Sequence, residues 1–335
     1  MQKILAPRLK KGAAIGVFSP SCPATAWIPE RTRLAFQFVE EKGYHLKPGA
    51  LTGRISAYRS GTIRERADEL NALLRDPEVD CIMSAAGGFV SNSLLPYIDY
   101  DALREHPKVI VGFSDVTAVL LGIHAKTGLV TFYGPNLIST FGEVPPFSEE
   151  SFCYFERMVG TDLNLPHTLP TPRFWTDDSV GLEEIGFECT AHENKLVTVR
   201  GGAVTGRLLG GNLNTMLGFF GTQYMPEICE GDILFLEDVR ELPESIERSF
   251  SLLENAGIFE KIGGLILGKH ADYNARKTGL KSWEVPLEIV GKYKFPILAE
   301  FDCSHTKPML TMPIGVDIHL DADTQTVSIL ESPIQ

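Results

Sequence analysis

The sequence predicts an α/β fold in two parts: an N-terminal, doubly wound domain on a mainly parallel sheet, then a C-terminal mixed, sheet-rich β/α domain. Three observations carry this. Through the first 150 residues, short β-branched runs alternate with helical periodicity, the pattern of a parallel sheet covered on both faces. Five prolines then fall between residues 144 and 173, with little periodicity. Beyond residue 190, short strand runs dominate, broken by two helical patterns.

The first strand is Ala14-Ile15-Gly16-Val17-Phe18, closed by the turn residues Ser19-Pro20-Ser21. Residues 30–42 follow as a helix with Leu34, Phe38 and Val39 on one face. Thr62 and Glu65 form a capping box that opens another, with apolar positions 63, 67, 70, 73 and 74 on one stripe. Strands are expected at residues 81–84, 109–111 and 130–133, with a helix at 116–126 between the last two. Residues 1–150 therefore form the first domain. Residues 151–189 read as a linker that includes an exposed polar loop around Phe174-Trp175-Thr176-Asp177-Asp178. Residues 190–335 form the second domain. Its strands are expected at 196–200, 233–236, 265–267 and 297–299, with helices near 212–220 and 244–255.

Composition narrows the function. The chain has 335 residues, 44% of them hydrophobic and 22% charged, which suits two globular domains of about 150 residues each. A net charge of −12 supplies no field for a nucleic acid polymer or an anionic membrane, so a small substrate is expected. Six cysteines (22, 81, 153, 189, 229 and 303) show no CxxC pair or zinc-like spacing, as in a reducing compartment with no bound metal. Residues 1–11 are charged without an apolar core, and no apolar run reaches membrane-spanning length. A cytoplasmic protein is expected.

Two turns stand out. Ser114 lies in Gly112-Phe113-Ser114-Asp115, between a buried strand and a helix. Such a turn exposes a hydroxyl beyond the sheet and points backbone N–H groups at the same space. The second glycine of the hydrolase elbow is missing, and a plain helix cap by Ser114 or Asp115 is the competing reading. Upstream, Ala85-Ala86-Gly87-Gly88-Phe89 also follows a strand; its glycines would let amides approach a ligand. It is neither a P-loop nor a GxGxxG fingerprint, so no nucleotide cofactor is expected.

These turns belong to a longer pattern. Gly87-Gly88, Ser91-Asn92-Ser93-Leu94-Leu95-Pro96-Tyr97, Gly112-Phe113-Ser114-Asp115, Lys126-Thr127-Gly128, Gly210-Gly211-Asn212, Leu234-Phe235-Leu236-Glu237-Asp238, Ala256-Gly257-Ile258-Phe259, Gly268 and Ser304-His305 occur in that order. The chain thereby resembles the LD-carboxypeptidase family of serine peptidases along nearly its whole length. The long segment between Ser114 and Glu237 is similar to the microcin C immunity branch. The resemblance implies Ser114 as nucleophile, Glu237 as orienting acid and His305 as general base, with no cofactor. It also implies oxyanion donors at the amides of Asp115 and of Gly88 or its neighbour Gly87. A serine needs a base, and the base a carboxylate, to become a nucleophile. On the residues alone, Asp238 competes with Glu237, and His270 with His305.

The resemblance further implies acyl-enzyme hydrolysis of an aminoacyl-nucleotide conjugate, giving antibiotic self-immunity. The alternative is release of D-alanine from a peptidoglycan tetrapeptide; a non-catalytic ligand-binding protein is the reading from another class. Trp175 is a candidate platform for a nucleobase, against simple packing of the loop. The immunity branch carries a further Trp in a Trp-Glu-Glu context, where this chain reads Gly181-Leu182-Glu183-Glu184. Asn212, with Arg207, Arg240 and Arg248, is a candidate for holding substrate. A homodimer is expected, as two-fold dimers are the commonest oligomers.

Overall fold

Five short runs become the parallel strands of a first sheet: β1 (Ala14–Phe18), β2 (His45–Pro48), β3 (Cys81–Ser84), β4 (Val109–Gly112) and β5 (Thr131–Tyr133). They lie in the order β5-β4-β3-β1-β2. The structure is a computed structural model that describes residues 2–143, 145–178 and 189–335. Strands β3, β4 and β5 are buried along their whole length, because helices cover both faces. Those helices are α1 (Ala24–Trp27), α2 (Pro29–Glu41), α3 (Ile63–Arg75), α4 (Tyr100–Glu105) and α5 (Thr117–Thr127). The expected capping box closes α3: Thr62 Oγ1 accepts from the Glu65 amide at 3.2 Å, and Glu65 Oε2 from the Thr62 amide at 2.8 Å.

The strand order reverses between β1 and β3. In open parallel sheets the crevice beyond the carboxyl ends at that reversal is where ligands bind. The turns after β1, β3 and β4 (Ser21, Gly87 and Ser114) all open toward it.

The first ten residues of the expected linker, 151–160, are helical instead. Residues 147–160 form α6 (Phe147–Gly160), which buries Phe147, Phe152, Phe155, Met158 and Val159. Its stripe is aromatic, and its rings pack on one another and on Phe38 and Phe141. The surrounding prolines hide that period in the sequence.

The rest of the chain comprises β6 (His167–Thr168), β7 (Phe174–Trp175), β8 (His192–Glu193), β9 (Val197–Arg200), β10 (Ala203–Asn212), α7 (Leu213–Leu217), β11 (Ile233–Glu237), α8 (Pro243–Asn255), β12 (Gly264–Gly268), α9 (Leu287–Val290), β13 (Ile297–Phe301), β14 (Met312–Ile314), β15 (Asp317–Asp321) and β16 (Thr326–Ile329). An eight-stranded sheet runs β6-β16-β15-β10-β11-β12-β13-β9. Its centre, β10 to β13, is parallel, and its flanks are antiparallel. This is the mixed, sheet-rich part that the sequence predicts. Strand β14 departs from a division at residue 190: it returns to the first sheet and pairs antiparallel with β5.

Candidate active site

Ser114 ends the turn that follows β4. Its φ is +63°, a left-handed conformation that a non-glycine residue adopts at a cost of about 1–3 kcal/mol, met by the surrounding contacts. The contacts are specific. The Ser114 amide donates to Tyr133 Oη at 3.1 Å, and the Ser114 carbonyl accepts from Thr117 Oγ1 at 2.6 Å. Asp115 does not cap its helix. Its buried carboxylate accepts from the amides of Val90 and Ser91 at 3.1 and 2.9 Å, which fixes the glycine turn beside the serine. Burial, offset in part by the Ser21 and Ser91 hydrogen bonds, raises its pKa.

That glycine turn touches the serine. A Cβ on Gly87 would stand 2.9 Å from Ser114 Cβ, 3.0 Å from its Oγ and 3.4 Å from the Asp115 nitrogen, so glycine is required for the approach. Gly88 has φ +148°, and a Cβ there would collide with Ser21 Oγ. Ser21 Oγ accepts from the amides of Phe89 and Val90. The hydroxyl of Ser114 and the amide edge of Asp115 and Gly87-Gly88 thus share one space.

The second sheet supplies the partners. Glu237 ends β11 and is fully buried. Its Oε1 accepts from Tyr133 Oη at 2.6 Å and from Asn212 Nδ2 at 3.0 Å. Its Oε2 accepts from the His305 amide at 3.2 Å and from His305 Nδ1 at 2.7 Å. Four donors meet two oxygens. Burial disfavours the charged carboxylate, but the attraction and hydrogen bond of His305, with those of Tyr133 and Asn212, hold its pKa below the ordinary value. His305 is the mirror case. Burial pulls its pKa down, and the charge of Glu237 outweighs this and raises it. With Nδ1–H given to Glu237, Nε2 is left as the basic nitrogen. The Phe113 ring stands edge-on to the imidazole, 4.9 Å between centroids.

The competitors occupy other positions. Asp238 Oδ1 accepts from Asn212 Nδ2 and the Val239 amide, and Oδ2 from the Asn214 amide; burial and the charge of Glu237 push its pKa up to about 7. His270 Nε2 accepts from the Glu241 amide at 3.1 Å, and burial lowers its pKa to about 4, so it is a neutral, structural imidazole at pH 7. Asn212 spends its amide on Glu237 and Asp238, and its Oδ1 on capping α7 through Thr215. Arg207 is paired with Asp232, Arg240 with Asp272, and Arg248 is exposed on α8.

Trp175 lies at the base of a two-stranded ribbon, β7 with β8. Its ring is 5.3 Å from that of His192 and 5.5 Å from Lys269 Nζ. Lys269 is itself buried and ion-paired with Asp302 at 2.5 Å. Next to it, Thr176 is fully buried rather than in an exposed loop, and exchanges backbone hydrogen bonds with Lys307. Residues 181–184 lie outside the described residues.

One cleft opens on Ser114 and another on His305. The first, polar and of about 420 Å³, is lined by Ser114, Gly88, Asn212, Asn214, Asp238 and Glu241. The second, more apolar and of about 270 Å³, is lined by His305, Phe113, Ile28, Ile138 and Trp27. They share Val239 and Arg240, and Trp175 lines neither. Tyr133 and Trp27 escape sequence reasoning: one reads as a strand residue, and the other sits in a helix of four residues, too short to leave a periodic pattern. Among the described residues, no cluster of His, Cys, Asp or Glu is arranged to hold a metal ion, and no helix is long and apolar enough to cross a membrane.

Comparison with known proteins gives consistent matches. Family models described as the LD-carboxypeptidase N-terminal and C-terminal domains match residues 15–134 and 205–320. A putative carboxypeptidase of Vibrio cholerae is 48% identical over 324 residues, 96% of each chain. The Microcin C7 self-immunity protein of Escherichia coli is 44% identical over 330 residues, 98% of this chain and 96% of that one. A solved structure of that protein in complex with aspartyl sulfamoyl adenosine superposes with a TM-score of 0.97 at 44% identity, covering 99% of this chain and 100% of that one. A mutant of it in complex with adenosine monophosphate gives the same TM-score at 43% identity, with the same coverage.

Proposed function

The chain belongs to the LD-carboxypeptidase family of serine peptidases, and from that premise we propose that it hydrolyses an aminoacyl-nucleotide conjugate through an acyl-enzyme. One observation carries the mechanism. A continuous hydrogen-bonded path runs from the Ser114 amide through Tyr133 Oη and Glu237 to His305 Nδ1. It fixes the strained serine turn and orients a histidine whose other nitrogen is basic; nucleophilic catalysis then requires that nitrogen to take the Ser114 Oγ proton.

Ser114 Oγ attacks the acyl carbonyl carbon, and its proton passes to His305 Nε2. The carbonyl oxygen becomes an oxyanion facing the amides of Asp115 and of Gly88 or Gly87, where fixed dipoles stabilise developing charge. The bond to the leaving group then breaks, and His305 returns the proton to the departing atom. Water repeats the sequence with His305 as base and frees the acyl group from Ser114. Glu237 holds the imidazole and balances its charge while protonated.

The complexes of the Escherichia coli relative support the substrate class, because their ligands pair an acidic aminoacyl group with a nucleoside. This activity would inactivate a toxin of that chemistry and so give self-immunity. A cytoplasmic setting is supported by six cysteines that are all free; a homodimer is the expected assembly. The test is a paired assay of aspartyl sulfamoyl adenosine and a muropeptide tetrapeptide, each beside Ser114→Ala. Cleavage of the nucleoside conjugate is expected, falling in the variant by roughly four or more orders of magnitude. Release of D-alanine alone would move the enzyme to cell-wall recycling. Turnover unchanged in Ser114→Ala would refute the nucleophile.

A further inference from the structure

We infer that Trp27 is the surface on which the aromatic ring of the leaving group packs. This rests on the hydrolase reading above for which cleft receives which half of the substrate. The general acid must deliver its proton to the departing atom, so the leaving group lies on the His305 side. The apolar cleft is lined by His305 and not by Ser114; the polar cleft is lined by Ser114 and not by His305. The acyl group therefore enters the polar cleft and the leaving group the apolar one.

That cleft has an apolar part and a charged part, the latter including Arg31, Glu143, Asp178 and Lys307. Phe113 lines the cleft with His305, its ring 4.9 Å from the imidazole. Ile28, Ile138 and Trp27 complete the apolar part. Of the three tryptophans, Trp27 alone is exposed, at 43%. Its setting is otherwise held: Ala24, Thr25 and Ile28 around it are buried, and Thr25 Oγ1 accepts from the Gly53 amide at 2.9 Å. A rigid helix turn thus holds an uncovered indole at the wall of the cleft that reaches the proton donor. A flat π surface of this size suits a heteroaromatic base. A departing D-alanine has no π face to lay on it, and its carboxylate would instead meet the charged part of the cleft at Arg31 and Lys307.

Adenosine monophosphate is the probe, titrated calorimetrically into the intact protein, into Trp27→Ala and into Trp27→Phe. Trp27→Ala is expected to weaken binding by roughly ten- to a hundred-fold, the range for loss of one stacked base. Trp27→Phe should keep most of the affinity while losing the quenching of indole emission that the nucleotide causes in the parent. Unchanged affinity in Trp27→Ala overturns the proposal, as does equal loss in both variants. Should Trp27→Ala fail to fold, quenching undiminished in Trp27→Phe overturns it alone. In kinetics, Trp27→Ala should lower the kcat/KM ratio of aspartyl sulfamoyl adenosine to the analogue bearing methyl in place of adenosine. The titration does not depend on turnover, so it decides the role of Trp27 even if Ser114→Ala were to refute the hydrolase.

Discussion

Glu237 takes no part in bond making in the proposed mechanism, yet both of its oxygens are hydrogen-bonded twice over. Its two oxygens receive Tyr133, Asn212 and both the amide and the ring of His305. A buried carboxylate left unpaired would be costly; satisfied in this way it is a fixed negative charge under the imidazole. The consequence is a pH dependence. The raised pKa of His305 places the rising limb of kcat/KM above the ordinary 6.5, since the base acts when neutral. Glu237→Gln removes the charge that favours the imidazolium, so that limb should shift to lower pH while kcat falls about a hundred-fold or more. A pH profile of both proteins measures the shift; a limb that stays in place would mean that another group controls it. Little of this was legible beforehand. The resemblance pointed to Ser114, Glu237 and His305, but Tyr133 lies in a strand run, Thr131–Tyr133, that looks like any core segment.

Elements explain where these residues stand. Ser114 follows β4, Asn212 and Glu237 close β10 and β11, and His305 follows β13. Every one sits at or just beyond the carboxyl end of a parallel strand, where side chains leave the core and helix N-termini begin. Strands rich in Val, Ile and Leu, such as β4 and β11, were readable from composition. Strand β10 was not, because Gly206, Gly210 and Gly211 dilute its pattern; nor was β14, which carries Pro313. The ribbon of β7 and β8 is secured differently, by the buried pair of Lys269 and Asp302 beneath Trp175. Lys269 Nζ also donates to the Glu300 carbonyl at 2.5 Å, and Asp302 Oδ2 accepts from Asn194 Nδ2 at 2.8 Å. Lys269→Met would strand Asp302 in the interior and should destabilise the fold by about 3–5 kcal/mol, because a buried charge loses its partner. Urea unfolding checks this; a change under 1 kcal/mol would show that Asp302 finds other compensation or takes up a proton at little cost.

At the scale of the whole molecule, the two sheets are not independent. β14 completes the first sheet after the chain has built most of the second. Tyr133 reaches Glu237, and the Asn212 amide donates to Thr117 Oγ1 at 3.1 Å. Chains of this length usually unfold domain by domain. Here a shared strand and buried contacts across the boundary should merge the transitions into one. Coincident urea curves by far-ultraviolet dichroism and by tryptophan fluorescence are expected; two resolved steps would show that the halves hold separately. The sequence divided the chain into two parts, and the patterning supports that division, but pairing between distant segments leaves no periodic trace.

The carboxyl-end placement of the residues in the proposed mechanism also bears on descent. Backbone beyond a strand end can be lengthened, shortened or replaced with little effect on the hydrophobic interior that fixes the strand itself. Ancestors of this chain could therefore have exchanged one diet for another by rewriting rims, with the bond-breaking apparatus inherited intact. Laboratory evolution toward new substrates should find its productive changes in those rims, around residues 22–28 and 239–241, before it finds any in the sheets.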